Sequence, residues 1–336
     1  MDPMGSSVRG IYKGTGSSDM KTFPLIIILL VITLLTSWKT ISSSYISNVA
    51  GVAFLRSELS DRQIDMRSTV RWLDIAVDNY PESPSIHFWL GKLLFKTDRG
   101  KAAEHLNLLT RQPDRRSLAY YWLGELYGEA GDVGMIITNW REIPEMPTLL
   151  LMRANIMIND GRLTEAIDTL NIVLQLDPSY TVAYRHLSNL HQNLGDYETA
   201  MLLCQRLHEI EGALTSSLAC SGEVLYYQGK FEEAIVEFAQ AIDHSPTNPG
   251  LHYWLGRSYR RVGEIEKAVD QLQKAIKHED RDVVSWYHYD LGLAYEAGGE
   301  ISMAMEEYRE VLKLDPDHYY ADEARLRIKQ LERQKP

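Results

Sequence analysis

An all-α architecture is predicted by this sequence: an α-solenoid of about eight helix-turn-helix units with a C-terminal capping helix, preceded by one N-terminal transmembrane helix. Three observations carry that expectation. Glycines recur in one register at 131, 161, 195, 229, 263 and 299, with spacings of 30, 34, 34, 34 and 36 residues. A second column holds Ala166, Ala200, Ala234, Ala268 and Ala304, and a third holds Gly91, Gly124, Ala154, Ser188, Gly222, Gly256 and Gly292. An uncharged run, FPLIIILLVITLLTSW, extends from Phe23 to Trp38. A fixed period in this range marks stacked repeats, because no single unit can bury its apolar face alone.

The amino-terminal elements come first. Residues 1–20 are rich in Gly and Ser and lack periodicity, which predicts no ordered structure. Met20 opens MKTFPL, a second candidate start. The anchor occupies 21–40. At about 1.5 Å per residue, Phe23–Trp38 spans about 24 Å, a little short of a ~30 Å hydrocarbon core. Lys21 and Lys39 flank the run and can snorkel, and Trp38 suits the interface. A cleaved signal peptide is the rival reading, with Ala50, Gly51 and Ala53 as small residues at a cleavage site. Those residues also read as the start of the first repeat helix, which cleavage would damage. Arg9, Lys13 and Lys21 precede the span and Lys39 and Arg56 follow it. The positive-inside rule then places the amino terminus in the cytoplasm and the solenoid, 50–334, on the extracytoplasmic side.

The repeat columns have physical reasons. Each glycine of the first column follows an apolar helical segment and precedes a polar one, as in DGRLTEAI and QGKFEEAI. There it can take a left-handed conformation that ends one helix and turns into the next. The small residues of the other columns let two antiparallel helices approach closely. Pro178, Pro246 and Pro316 close their units, where a helix stop is wanted. The units read as 50–83, 84–116, 117–146, 147–180, 181–214, 215–248, 249–282 and 285–318, with a cap at 319–334. In the first unit only Leu73, Ala76 and Pro81 fall in register, and Val283 and Val284 form an insertion before the last. Unit 117–146 is four residues short, which is expected to tighten one interhelical turn.

HYWLGRSY (252–259) and YYWLGELY (120–127) resemble the first part of the signature of the tetratricopeptide repeat family, and Ala234, Phe238, Ala241 and Pro246 of unit 215–248 resemble its second part. The likeness covers most of the chain and points to a bacterial membrane-anchored member. It implies a right-handed solenoid whose first helices line a concave groove that binds a protein or peptide. The family's groove positions fall here on Asn155 and Asn159, then Arg185, Asn189, Gln192 and Asn193. Later units place Glu223, Tyr226 and Tyr227, then Tyr253, Arg257, Arg260 and Arg261, then Trp286 and Tyr289. Asparagines at corresponding positions of successive units offer both donors and acceptors to an extended backbone. The arginine cluster, beside Tyr253 and Trp286, is suited to a carboxylate held against an aromatic wall. Arg185 and Asn189 imitate the pair by which some family members clamp a carboxy terminus. Cys220, Gly250 and Trp254 occupy the supporting positions, a departure that argues against such a clamp.

Composition narrows the function further. Lys+Arg number 35 against 46 Asp+Glu, a net charge of −11, which disfavours nucleic acid as a partner. Two cysteines, Cys204 and Cys220, exclude a disulfide framework and a zinc ribbon. They read as small buried apolar residues, with a single bridge as the alternative outside the cytoplasm. His87, His252 and His288 share one register position, which implies packing between helices rather than metal binding. No nucleotide, hydrolase or metalloprotease motif is present. We therefore expect no enzyme, no cofactor and no metal, but a protein-interaction scaffold at a membrane, in envelope assembly. Two alternatives stay open. NVAGVAFLRSEL (48–59) faintly resembles a junction in O-antigen-ligase-like proteins, which suggests an accessory subunit of polysaccharide polymerisation. The other is a structural subunit of an oligomeric membrane assembly.

Overall fold

The computed structural model describes residues 66–279, 285–317 and 319–334, which form sixteen helices with no strand among them. The expected disorder of 1–20, the apolar span Phe23–Trp38, the first half of unit 50–83 and the Val283–Val284 insertion lie outside the described residues. No helix among the described residues is long and apolar enough to cross a membrane.

The chain divides into two compact units at the Ile143–Pro144 junction. The first contains α1 (Met66–Asn79), α2 (Pro84–Leu94), α3 (Arg99–Leu109), α4 (Arg116–Glu129) and α5 (Val133–Trp140). The second contains α6 (Met146–Asn159), α7 (Leu163–Leu176), α8 (Thr181–Asn193), α9 (Tyr197–His208), α10 (Leu214–Tyr227) and α11 (Phe231–His244). It continues with α12 (Pro249–Val262), α13 (Ile265–His278), α14 (Ser285–Ala297), α15 (Ile301–Leu314) and α16 (Tyr319–Gln334). Within each unit every helix packs on its neighbours in sequence, so α12 pairs with α13 and α13 meets α14.

The glycine column supplies the turns inside the pairs. Gly131, Gly161, Gly195, Gly229, Gly263 and Gly299 all have positive φ, between 73° and 84°. The residue after each glycine donates its N–H to the carbonyl five residues back: Arg162 to Met157 at 2.8 Å, Lys230 to Leu225 at 2.9 Å. That bond closes a Schellman motif and satisfies an otherwise orphan carbonyl. Asp98, Asp132 and Asp196 then cap the following helix, each accepting from a backbone N–H three residues on.

The small-residue column sets how closely the two helices of a pair approach. A Cβ on Gly222 would lie 2.7 Å from Phe238, one on Gly256 2.7 Å from Leu272, and one on Gly292 2.6 Å from Tyr308. Sixteen residues after a glycine, then, stands a large side chain that fills the space the missing Cβ leaves. Phe238 and Tyr308 are fully buried there. Burying a side chain of this kind contributes about 1.5–3 kcal/mol.

The shared histidine position also has a physical cause. His87 Nε2 donates to the Pro81 carbonyl at 2.7 Å and His252 Nε2 to the Pro246 carbonyl at 2.8 Å. In a third unit the Tyr184 hydroxyl donates to the Pro178 carbonyl at 3.1 Å. The opposite ring nitrogen of each histidine faces the second helix of its own pair. His87 meets His105 at 3.0 Å, His252 meets Gln271 at 2.7 Å, and His288 meets Glu307 at 2.7 Å. One side chain thus ties the preceding proline turn to the outer helix.

Two expectations are corrected. The four-residue deficit of unit 117–146 does not tighten a turn. It shortens the second helix, since α5 has 8 residues where α7 has 14. Cys204 and Cys220 are not separate packing residues but a disulfide between α9 and α10, with Cα atoms 5.5 Å apart. Cys204 stands sixteen residues after Ser188, in the slot that Phe238 and Tyr308 fill elsewhere. A small side chain there brings the two sulfurs within bonding reach, with Ser188 Oγ 3.4 Å from Cys204 Sγ.

Candidate functional site

In the second unit the first helices of successive pairs form a layer of their own. α8 touches α10, α10 touches α12, α12 touches α14 and α14 touches α16, besides packing on their own partners. This layer carries the residues expected to line a groove, apart from Asn155 and Asn159, which lie on α6.

Asn159, Arg185, Asn189, Asn193, Tyr227 and Arg261 are exposed, while Asn155, Trp286 and Tyr289 are half-buried. Three expected groove residues are instead buried. Gln192 turns back on its own helix and donates to Ser188 Oγ at 3.2 Å and Asn189 Oδ1 at 3.3 Å. Tyr226 lies edge-on to Phe231 of α11 and Trp254 of α12, which close over it. Tyr253 stacks on Tyr287 at 4.7 Å between centroids and donates its hydroxyl to Asp290 at 2.7 Å.

Asp290 decides the electrostatics of this region, and sequence reasoning missed it. It is 4% exposed. Besides Tyr253 it takes Arg260 at 3.2 Å and Arg257 at 3.5 Å. The arginine cluster does hold a carboxylate against an aromatic wall, but that carboxylate is supplied by the chain itself. Arg257 also lies over the rings of Trp254, Tyr226 and Tyr253 at 4.8, 5.0 and 5.4 Å. Burial opposes its charge, yet Asp290 and the surrounding tyrosines raise its pKa overall. Burial first, then Asp290, pushes the Tyr253 hydroxyl well above its usual range. Nε of Arg257 and of Arg260 is buried without a hydrogen-bond partner. Two cations thus share one anion, which leaves a net positive, rigidly held shelf on α12. Arg261 does not join it; its guanidinium lies over the Phe231 ring at 4.3 Å. Tyr289 packs against Tyr308 and Tyr320 at the α16 side.

Beside the shelf, and sharing Trp254 with it, is a cavity of about 140 Å³. Arg185, Thr215, Ser216, Glu223, Leu251 and Trp254 line it. Burial pushes the Glu223 carboxyl up to about 7, against the opposing pull of the Arg185 guanidinium. Arg185 itself is exposed. The cavity therefore has a half-buried acid and a solvated cation at its rim.

Stacked antiparallel helix pairs with glycine turns and a polar first-helix layer define a helical repeat scaffold. Three family models match the chain: a TPR repeat at residues 222–263 and tetratricopeptide repeats at 249–278 and 285–318. The matched segments are tetratricopeptide repeats, and the repeat register of the fold continues outside them. It is 28% identical to human Tetratricopeptide repeat protein 13 over 173 residues, 48% of this chain and 20% of that protein. It is 28% identical to the TPR repeat-containing protein MJ1428 of Methanocaldococcus jannaschii over 123 residues, 36% of this chain and 21% of that one. The chain thus spans about a fifth of the length of these relatives. Among solved structures, a thermophilic TPR protein of Thermus thermophilus aligns with a TM-score of 0.49 and 20% identity. That alignment covers 55% of this chain and 98% of the other.

Proposed function

We propose that this protein is a non-catalytic scaffold that holds a segment of a partner protein on the first-helix layer of its second unit. The observation that carries the reading is the Asp290-fixed shelf of Arg257 and Arg260. It is backed by Trp254, and the exposed side chains of Arg185, Asn189 and Asn193 on α8 and of Tyr227 on α10 belong to the same layer. Rigid aromatic and arginine anchors beside solvated amides are what an extended segment needs for affinity and register. Trp286, on α14, extends the same layer, and Asn155 and Asn159 stand at corresponding positions of α6.

We place the scaffold at a membrane, anchored by residues 23–38, with its repeats on the extracytoplasmic side. The Cys204–Cys220 bond supports that side, because disulfides persist in oxidising compartments. A subunit role in a larger assembly is the second reading. Leu202 and Val236, on the outer helices α9 and α11, are both 52% exposed, and one relative is Anaphase-promoting complex subunit 3 of Schizosaccharomyces pombe.

The test is crosslinking from the full-length protein in its membrane, comparing the native chain with Arg185→Ala, Asn189→Ala and Tyr227→Ala combined. Arg257 and Arg260 are left intact because they hold the fold at Asp290. The variant should keep its helical circular dichroism and lose the captured protein. Undiminished capture would move the binding surface off this layer, and loss of capture by Leu202→Glu with Val236→Glu instead would favour the assembly reading.

A further inference from the structure

We infer that the cavity between α8, α10 and α12 is a subsite for one basic side chain, lysine or arginine, whose charged tip meets the Glu223 carboxylate. The inference rests on the reading of the first-helix layer as a binding face and names what one part of it recognises.

Size comes first. A cavity of about 140 Å³ is well under the ~300–1,000 Å³ of sites that enclose a whole small molecule. It has room for a single side chain. Its walls are of two kinds: Leu251 and the Trp254 ring are apolar, whereas Thr215, Ser216 and Glu223 are polar. An aliphatic stem fits along the first set and a donor head against the second.

Charge then selects the head. Among the described residues no donor reaches the Glu223 carboxylate, and Arg185 is not within ion-pair contact of it. A half-buried carboxylate without a protein donor is partly stripped of water, a cost that a cationic donor relieves. The Trp254 ring lines the same cavity and can pack against the aliphatic stem of that side chain. The groups that bear on Glu223 are Arg185 from α8 and Tyr227 of α10 itself. Asn248, Gly250, Leu251 and Trp254 line the α12 side and bring no charge. Arg185 is solvated and screened at the rim, where it accommodates an acidic or carbonyl group next to the bound basic residue. An acidic side chain would have to displace its own hydration to sit beside Glu223, which disfavours it.

The experiment uses the full chain in detergent and four blocked tripeptides, acetyl-Ala-X-Ala-amide, with X as lysine, arginine, norleucine or glutamate, titrated calorimetrically. The lysine and arginine peptides should bind at least about tenfold more tightly than norleucine, and glutamate should not bind. Glu223→Gln should abolish that preference. Ala219→Leu, which fills the cavity and leaves the acid in place, should remove binding of both basic peptides. Affinity for the lysine peptide should rise between about pH 6 and about pH 8, because the free carboxyl must lose its proton before it can pair. Equal binding of norleucine, a preference for glutamate, or an unchanged Glu223→Gln variant overturns the assignment. If partner crosslinking survives Glu223→Gln while the peptide preference never existed, the scaffold reading stands and the basic subsite falls.

Discussion

Tyr253 and Asp290 join α12 to α14 through a 2.7 Å hydrogen bond in which the phenol donates to a carboxylate that is 4% exposed. The same carboxylate faces Arg257 and Arg260. Asp290→Ala should therefore cost about 3–5 kcal/mol, because it leaves two partly buried cations without their anion. Asp290→Asn should cost less, since its amide oxygen still accepts from Tyr253. Urea denaturation followed by circular dichroism measures both. In a repeat array the loss should fall on the repeats around α12–α14, visible as earlier hydrogen exchange there.

Two glycines seven residues apart should fail for different reasons. Gly222→Ala drives a Cβ into Phe238, an overpacking that costs about 1–3 kcal/mol. Gly229→Ala meets no atom within 4 Å, but its φ of 80° puts an L side chain in the left-handed region. That costs about 1–2 kcal/mol. Adding Phe238→Leu should recover part of the loss in Gly222→Ala and none of it in Gly229→Ala. Chemical denaturation of the four proteins separates the two mechanisms.

The Cys204–Cys220 bond closes a loop with a sequence separation of 16 residues. The chain-entropy estimate for a loop of that size is about 3 kcal/mol. Cys204→Ser with Cys220→Ser should lower stability by about that amount in oxidised protein. Reduced wild-type protein and the double variant should unfold at nearly the same denaturant concentration.

His105 should make the first unit acid-sensitive. Burial, then the facing His87, lowers its pKa below 6.5, with Lys101 acting in the same direction and Asp74 and Glu104 opposing. The unfolded chain thus takes up the proton first. The stabilising contribution is complete above the unfolded pKa and is lost as pH falls through it toward the folded value. The urea midpoint should drop on acidification, and His105→Gln should flatten that dependence.

Much of the fold was legible because its causes are local. A left-handed glycine, a missing Cβ and a unit-closing proline each leave a mark at a fixed offset, and repetition makes the offset visible. The site was less legible because its determinants join different repeats. Cys220, Trp254 and Asp290 occupy the same register position, the sixth of their units, along with Trp89 and Trp122. That position faces a neighbouring helix, so it holds whatever the junction requires: a sulfur, a ring or an anion. A lone acid in the otherwise uncharged stretch SWYHYDLGLAY was the available signal for Asp290. Gln192, Tyr226 and Tyr253 misled for the converse reason, since their register suggested display while their neighbours covered them. Glu223 lay in the right register, but its lifted pKa depends on burial that no single sequence displays.

The covalent tie between α9 and α10 also has a mechanical meaning. A chain held at one end and pulled at the other lengthens as its helix pairs let go one after another. The stretch between Cys204 and Cys220 cannot contribute to that lengthening while its sulfurs are bonded. At about 3.3–3.6 Å per extended residue, and with the bonded Cα atoms still 5.5 Å apart, the oxidised protein should stretch roughly 50 Å less than the reduced one. Single-molecule force spectroscopy would read this difference directly as a redox-dependent contour length.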